Sequence, residues 1–296
     1  MKLGRKKWLI WITMLIIIGF VYSYYNQQPR IETVLYKEIT DSIESEALII
    51  RDETVIDSNN HGKVDLTYKE GEKAAYGQEI IKINGENSTE IYYAVHSGLI
   101  SYGFDGLEAE FDFTDLSQYN VSDFQDLEVD YNHLVDGKEI NINKPVYRII
   151  NNKKVYFVFR INSLEADKYS IGETVFLDEV DANTRLIKAK VSNKIINSDE
   201  AVIFVEVNGF KDEWLNRRFI DFELISNIYR GLVVPTNSIF NTAEGRGVLV
   251  ENSRGIIEFR QLEIIGGNSK EIVVEGLNLG DKVIINPEVL NYGRGD

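Results

Sequence analysis

The chain of 296 residues has no cysteine, 4 prolines, 2 methionines and 3 histidines. The first absence excludes disulfides, thiolate metal sites and thiol catalysis, although it does not decide the compartment. Scarce proline beside 22 glycines, 16 tyrosines and 14 phenylalanines favours sheets over helices. Apolar residues at 44% suffice for real cores, and the length predicts two or three domains.

Positive charge is short in the body. Lys2, Arg5, Lys6, Lys7 and Arg30 are the only charged residues before Ile31, which leaves a formal −20 on the remainder, 27 basic against 47 acidic side chains. Such a body repels nucleic acid and anionic lipid, and no basic, aromatic-interleaved stripe offsets it. Nucleic-acid binding is not expected.

Residues 8–25, WLIWITMLIIIGFVYSYY, contain no charge. Their length approaches that of a helix crossing about 30 Å of hydrocarbon. Trp8 and Trp11 at one end, with Tyr22, Tyr24 and Tyr25 at the other, match interfacial aromatic belts. Basic residues lie upstream, so the expected topology is N-terminus in the cytoplasm and body outside, in the cell membrane with a single pass. No small-x-small cleavage site follows the run, so an uncleaved anchor is expected rather than a signal peptide.

Beyond the anchor, residues 26–43 read as a polar stalk. Short β-branched runs separated by Gly, Asn or Asp turns then predict a small sandwich or barrel over 44–104. The stretch 105–143 is acidic. Its apolar residues at three- or four-residue spacing, such as Phe124, Leu127 and Tyr131, predict a short, partly helical insertion, with Ser122 as a helix cap. Period-two alternation returns from Pro145, giving a β-barrel over 151–230 and a last set of strands over 231–296.

Two segments of the first β-region look like two halves of one barrel. One is Asn60-His61-Gly62-Lys63-Val64, Glu70-Gly71-Glu72-Lys73 and Gly77-Gln78-Glu79-Ile80-Ile81. The other is Ala94-Val95-His96-Ser97-Gly98-Leu99-Ile100-Ser101-Tyr102, then Asp105-Gly106-Leu107-Glu108. Gly62, Gly71, Gly77 and Gly98 fall at strand reversals, where positive φ is expected. The pair resembles a biotinyl/lipoyl-type module. Carrier modules place an acceptor lysine on the hairpin joining the halves; residues 84–90, NGENSTE, contain none. A swinging-arm carrier is disfavoured.

The whole chain resembles the HlyD-like membrane-fusion, or periplasmic adaptor, family, nearest to forms found in low-GC Gram-positive bacteria. Besides the half-motifs, the resemblance is carried by Arg51-Asp52-Glu53, Lys144-Pro145-Val146-Tyr147-Arg148-Ile149, Gly231-Leu232-Val233-Val234-Pro235 and Glu275-Gly276-Leu277-Asn278-Leu279-Gly280-Asp281-Lys282-Val283. The structural-motif positions are therefore Gly62, Gly71, Gly77, Gly98, Gly106, Gly231, Pro235, Gly276 and Gly280. The resemblance implies a mainly β fold: transmembrane helix, lipoyl-like barrel-sandwich hybrid completed by about 144–150, β-barrel and membrane-proximal β-domain. It also implies homo-oligomers beside a transporter permease. Members that bridge to an outer-membrane duct insert a long helical hairpin between the lipoyl halves. Only seven residues separate Ile83 from Ile91 here, so no such duct is expected.

His61 and His96 occupy similar positions in the two halves, and pseudo-symmetry would bring them together as metal ligands. The alternative, turn residues bonding backbone groups, is preferred, and His133 has no evident partner. Asp52-Glu53, Asp105 with Glu108, and Asp178-Glu179 lack a histidine, nucleophile or phosphate loop, so they read as solvated surface acids. No Asp-x-Asp-x-Asp-Gly calcium loop occurs. Arg217-Arg218 reads as a barrel-surface pair. The expectation is a non-enzymatic adaptor without cofactor, assisting a transporter in efflux or secretion. A structural or regulatory envelope protein, serving wall assembly or division on the same fold, stays open.

Overall fold

The computed structural model describes residues 28–180, 182, 185–242 and 245–290, together with Trp11, Ile12, Met14, Leu15 and Ile17, which are helical. Most of the predicted anchor and the tail from 291 lie outside the described residues. Among these, no helix is long and apolar enough to cross a membrane.

The chain divides into two compact units, residues 42–226 and a second unit made of residues up to 41 with 227 onward. The larger unit begins with a closed barrel of six strands. Phe219–Pro235, Thr174–Glu179, Ile187–Ile196, Glu200–Asn208, Pro145–Asn162 and Leu35–Asp57 follow in order, and the last pairs back with the first. Alternation decides which side chains fill it. Ile49, Phe157, Phe159, Val205, Trp214 and Phe222 point into one core, with Phe157 edge-on to both Trp214 and Phe222 at 4.9 Å.

The same strands are apolar on their outer face as well: Leu48, Ile50, Tyr156, Val158, Val202 and Phe204 form a second cluster. Strands buried on both sides read as continuous apolar runs rather than alternating ones, which accounts for Ala47-Leu48-Ile49-Ile50 and Val155-Tyr156-Phe157-Val158-Phe159. The cover is the acidic insertion. Leu107, Val121 and Phe124 are buried against the sheet, Phe124 meets Phe204 edge-on at 5.4 Å, and Phe113 tilts over Tyr156 at 4.9 Å.

The insertion is not helical as expected. It holds two 3-10 turns, Leu116–Gln118 and Val121–Phe124. Acidic side chains accept nearby backbone N–H groups instead of letting a helix propagate: Asp112 from Thr114 at 2.7 Å, Asp115 from Ser117 at 3.0 Å, and Asp123 from Asn120 at 2.7 Å. Asp and Asn compete with the helix in this way, so each turn stops after a few residues. Ser122 sits inside the second turn and Asn120 precedes it, so the cap position belongs to Asn120.

Next to the barrel lies a sandwich. One sheet orders Glu139–Ile140, Gly62–Leu66, Glu79–Asn84 and Thr89–Tyr93; the other pairs Gly98–Ser101 with Lys73–Ala74 and with the first part of Pro145–Asn162. Ile80, Ile81, Ile83, Ile100, Tyr147 and Ile149 are fully buried between them. The strand Pro145–Asn162 serves both bodies. Its pairing with Leu35–Asp57 slips between Ile150 and Val155, and that irregularity marks the joint between sandwich and barrel.

The smaller unit is built from two parts of the chain. Ile31–Thr33 pairs with Lys282–Ile284, and Leu232 to Pro235 pair with residues of Glu271–Glu275. Val34, Val234, Val248, Val250, Val274 and Val283 form its core. Residues expected to be a polar stalk are therefore strands of this unit from Ile31 onward.

Candidate functional site

Gly62 and Gly98 begin the corresponding strands of the two half-motifs, and neither has positive φ. Their reason is close approach. A Cβ on Gly62 would stand 2.5 Å from the Asn84 carbonyl oxygen, and one on Gly98 would stand 2.4 Å from that of Ile150. Gly231 is of the same kind, facing the Val273 side chain, and Pro235 ends its strand. Gly71, Gly77, Gly106, Gly276 and Gly280 do adopt positive φ.

The join between the halves is a plain hairpin. Glu79–Asn84 and Thr89–Tyr93 pair directly; Gly85 N–H donates to Ser88 O at 2.9 Å, and the Thr89 hydroxyl to Asn84 Oδ1 at 2.8 Å.

The densest chemistry lies at the joint between sandwich and barrel. Arg51 and Arg148 come from two strands and Arg218 from the bend just before a third, and each is at most 3% exposed. Glu53 and Asp105 lie among them with side chains 2% exposed, and Glu108 lies at the edge. Arg148 reaches Glu53 at 2.8 Å. Arg218 reaches Glu53 at 2.9 Å and Asp105 at 2.8 Å. Glu108 accepts the Asp105 and Gly106 N–H groups at 2.6 and 3.0 Å and stands 3.6 Å from Arg148.

The remaining donors reach main-chain carbonyls across the two bodies. Arg218 donates to Ile49 O at 3.0 Å, Arg148 to Leu215 O at 2.8 Å, and Arg51 to the carbonyls of Trp214 and Arg217. Asn216 extends the network: its oxygen accepts from Arg148 and Ser101, and its amide donates to Glu70 at 2.9 Å. Arg51 Nη1 stands 3.5 Å from Glu53 and from Asp105, within charge attraction but outside hydrogen-bond geometry, and Nε of Arg51 and of Arg148 has no protein partner.

Burial lowers Arg51 to about 10, opposed by Glu53 and reinforced by its cationic neighbours, so it stays charged at neutral pH. Burial alone would raise Asp105; the attraction of Arg218 and its hydrogen bond outweigh that and hold the carboxyl below its ordinary range. Arg218 moves up, because Glu53 and Asp105 overcome its desolvation. Three guanidinium groups thus balance three carboxylates. Breaking one member of such a set leaves an uncompensated buried charge, so the network fixes the geometry between sandwich and barrel more than it adds net stability.

These positions correct the surface reading of Glu53, Asp105 and Arg218. Arg217 is the exposed one, pairing with Glu179 at 2.7 Å, and Glu179 itself is buried. The histidines have separate partners. His61 bonds Asn141 at 3.0 Å, His96 faces Thr54 at 3.3 Å, and His133 lies 3.5 Å from Glu70. Among the described residues no group of three His, Cys, Asp or Glu converges as a metal site.

Two domain models match this part of the chain: the RND-related barrel-sandwich hybrid domain over residues 53–151 and the RND-related β-barrel domain over residues 155–228. The chain belongs to the HlyD-like membrane-fusion adaptor family. The boundary between the two matches falls at the bulged joint of Pro145–Asn162, beside the arginine network.

A comparison with curated proteins gives no match. Among solved structures the adaptor is similar to ZneB from Cupriavidus metallidurans, with 12% identity over 87% of this chain and 92% of that one at a TM-score of 0.39. It is also similar to MacA from Actinobacillus actinomycetemcomitans, with 12% identity over 86% and 98% at 0.43. The membrane fusion protein Spr0693 from Streptococcus pneumoniae R6 matches 62% of the chain at 8% identity and 0.35, covering 98% of that structure. The assignment rests on the two domain models.

In this adaptor the quoted family motifs meet. Arg51, Glu53, Glu70, Ser101, Asp105, Glu108 and Arg148 come from five of them and share one network. Asn216 and Arg218 are the members that sequence reasoning missed. Arg218 precedes an alternating strand, and its burial depends on partners more than a hundred residues away.

Proposed function

We propose that the protein is a non-enzymatic adaptor, held in the cytoplasmic membrane by residues 8–25 with its body outside, that assists a membrane transporter in efflux or secretion. The observation that carries this reading is the contiguous pair of adaptor domain matches over residues 53–151 and 155–228. The adaptor acts by binding one transporter conformation better than another, which shifts its populations without chemistry. The hairpin at 85–88 gives no extension toward an outer-membrane duct. That short join also favours the second reading, an envelope protein of wall assembly or division that uses the fold without a transporter.

The smaller unit offers a docking surface for the permease. Val34 exchanges backbone hydrogen bonds with Gly280 and Asp281, at 3.0 and 2.8 Å, and the residues next to these in sequence, Leu35, Tyr36 and Leu279, are exposed. Tyr36 and Leu279 are each 67% exposed. Clustered exposed apolar side chains mark contact surfaces. Photo-crosslinkers at positions 36 and 279 test this directly: adducts with a permease support transport, and adducts with wall-synthesis or division proteins alone support the second reading.

Copies of the chain meet through the sandwich. Thr89–Tyr93 is an edge strand, and its outward Ile91 and Tyr93, with Val95 beyond it and Tyr76, are exposed. An uncovered apolar edge strand is a site for self-association.

A further inference from the structure

A cavity of about 190 Å³ reaches the arginine network. Its floor, Gly103, Phe104, Asp105 and Arg148, is buried, whereas Tyr131, Asn132 and Asn216 on its rim are exposed. Arg148 is 1% exposed. Glu53 takes its Nη1 at 2.8 Å, and the Leu215 carbonyl and Asn216 Oδ1 take Nη2 at 2.8 and 3.1 Å. Its Nε is buried too, and has no hydrogen-bond partner among the described residues. Glycine at 103 lets the Asn216 carboxamide close in on this floor, since a Cβ there would stand 2.5 Å from Asn216 Oδ1.

We infer that this cavity binds an uncharged molecule that presents a carboxamide on a flat apolar body. A buried donor without an acceptor is costly, so the Arg148 Nε favours an oxygen from outside the chain. Net charge decides which oxygen. Three guanidinium groups already balance Glu53, Asp105 and Glu108, so a carboxylate or an ammonium would enter as an uncompensated buried charge. A carboxamide adds no charge. Its carbonyl accepts from Arg148 Nε, and its N–H donates to Asp105, whose carboxylate lies 3.6 Å from Arg148 Nη1 on the same floor. Phe104 and Tyr131 supply aromatic walls for the flat body.

The volume suits a fragment-sized head group. A larger cleft of about 640 Å³ adjoins it, sharing Phe104, Asn132 and His133, and its apolar Val55, Leu134 and Ile140 leave room for substituents. Lys138 and Lys144 share that cleft with Asp57, Asp130 and Glu139, so it selects no charge of its own. The buried end of the cavity is the network itself, so a ligand is held at the joint of sandwich and barrel. The inference requires neither the transporter nor the anchor, and it fails or stands independently of them.

The test uses the full chain in phosphatidylcholine nanodiscs, with empty nanodiscs as the blank. Benzamide, benzoate and benzylamine share a ring and differ in charge at neutral pH; each is titrated by saturation-transfer difference NMR. The expected result is saturable binding of benzamide alone. Arg148→Lys keeps the charge but removes Nε, and weakens that binding about tenfold or more. Asn132→Trp fills the mouth from an exposed strand position and abolishes it. Leu164→Trp, at a position 86% exposed and outside both cavities, leaves it unchanged. An unchanged far-ultraviolet circular dichroism spectrum and cooperative thermal unfolding verify the fold of each variant; if Arg148→Lys does not fold, Asn132→Trp decides alone. Absence of saturable benzamide binding, equal binding of benzoate or benzylamine, or full affinity in Asn132→Trp overturns the proposal.

Discussion

Arg218 and Glu53 meet at 2.9 Å with side chains 1% and 2% exposed, one from the barrel and the other from the strand that enters the sandwich. A charge so deeply buried is tolerable only with its partners present, because removing one leaves the other without water or counter-charge. Arg218→Leu or Glu53→Leu alone is therefore expected to cost about 3–5 kcal/mol in denaturant unfolding. Replacing Arg148, Arg218, Glu53 and Asp105 together by apolar residues of similar volume costs less than the sum of the single changes. Additive losses would mean that the groups do not act as one network.

Acid should act through Asp105. Its folded pKa lies below its unfolded value, so its contribution is present above the ordinary carboxylate range and disappears as pH falls through the folded pKa. Unfolding free energy is expected to fall as pH drops below about 4, and Asp105→Asn lowers stability at pH 7 while flattening that slope. An unchanged acid slope in the variant would remove Asp105 from the account.

The glycines separate by cause. Gly98→Ala sets a methyl group 2.4 Å from the Ile150 carbonyl oxygen, a backbone atom that must shift. Gly172 has a φ of +92° but nothing within 4 Å, so alanine there costs only backbone strain of about 1–3 kcal/mol. Gly98→Ala is expected to be the more destabilising of the two by thermal unfolding.

The insertion is held by its aromatic residues, so Phe124→Ala is expected to cost about 3–5 kcal/mol and to raise amide exchange across residues 107–131 first. Uniform exchange over the larger unit would show that the insertion does not open separately.

Self-association is expected to run through the sandwich edge. Tyr93→Glu with Ile91→Lys places charge on the outward face of Thr89–Tyr93 without touching the buried Tyr92. Sedimentation should then show loss of oligomers by the full chain in nanodiscs, with an unchanged circular dichroism spectrum. Oligomers of wild-type size would exclude this edge.

The β-character of the body was legible because alternation and turn residues are local signals. The two half-motifs also pointed correctly to a lipoyl-like sandwich, now matched over residues 53–151. The insertion was not legible as a cover. Leu116 with Tyr119, and Phe124 with Leu127, have helical spacing, yet they pack on the sheet from short 3-10 turns and irregular chain where Asp side chains hold the backbone. The arginine network escaped for another reason. Glu53 and Asp105 stand beside other acids and glycines, as surface residues do, and only contacts such as Arg218 with Ile49, 169 residues apart, bury them. Likewise the smaller unit draws a strand from residues 31–33, far from the rest of its sequence.

The central claim, an adaptor that works with a transporter, is tested most directly by purifying the full chain from crosslinked membranes and identifying what accompanies it. The account predicts a transporter permease, lost when Tyr36→Glu and Leu279→Glu are combined while the fold is retained. Recovery of wall-synthesis or division proteins alone, with no permease in either preparation, would contradict it.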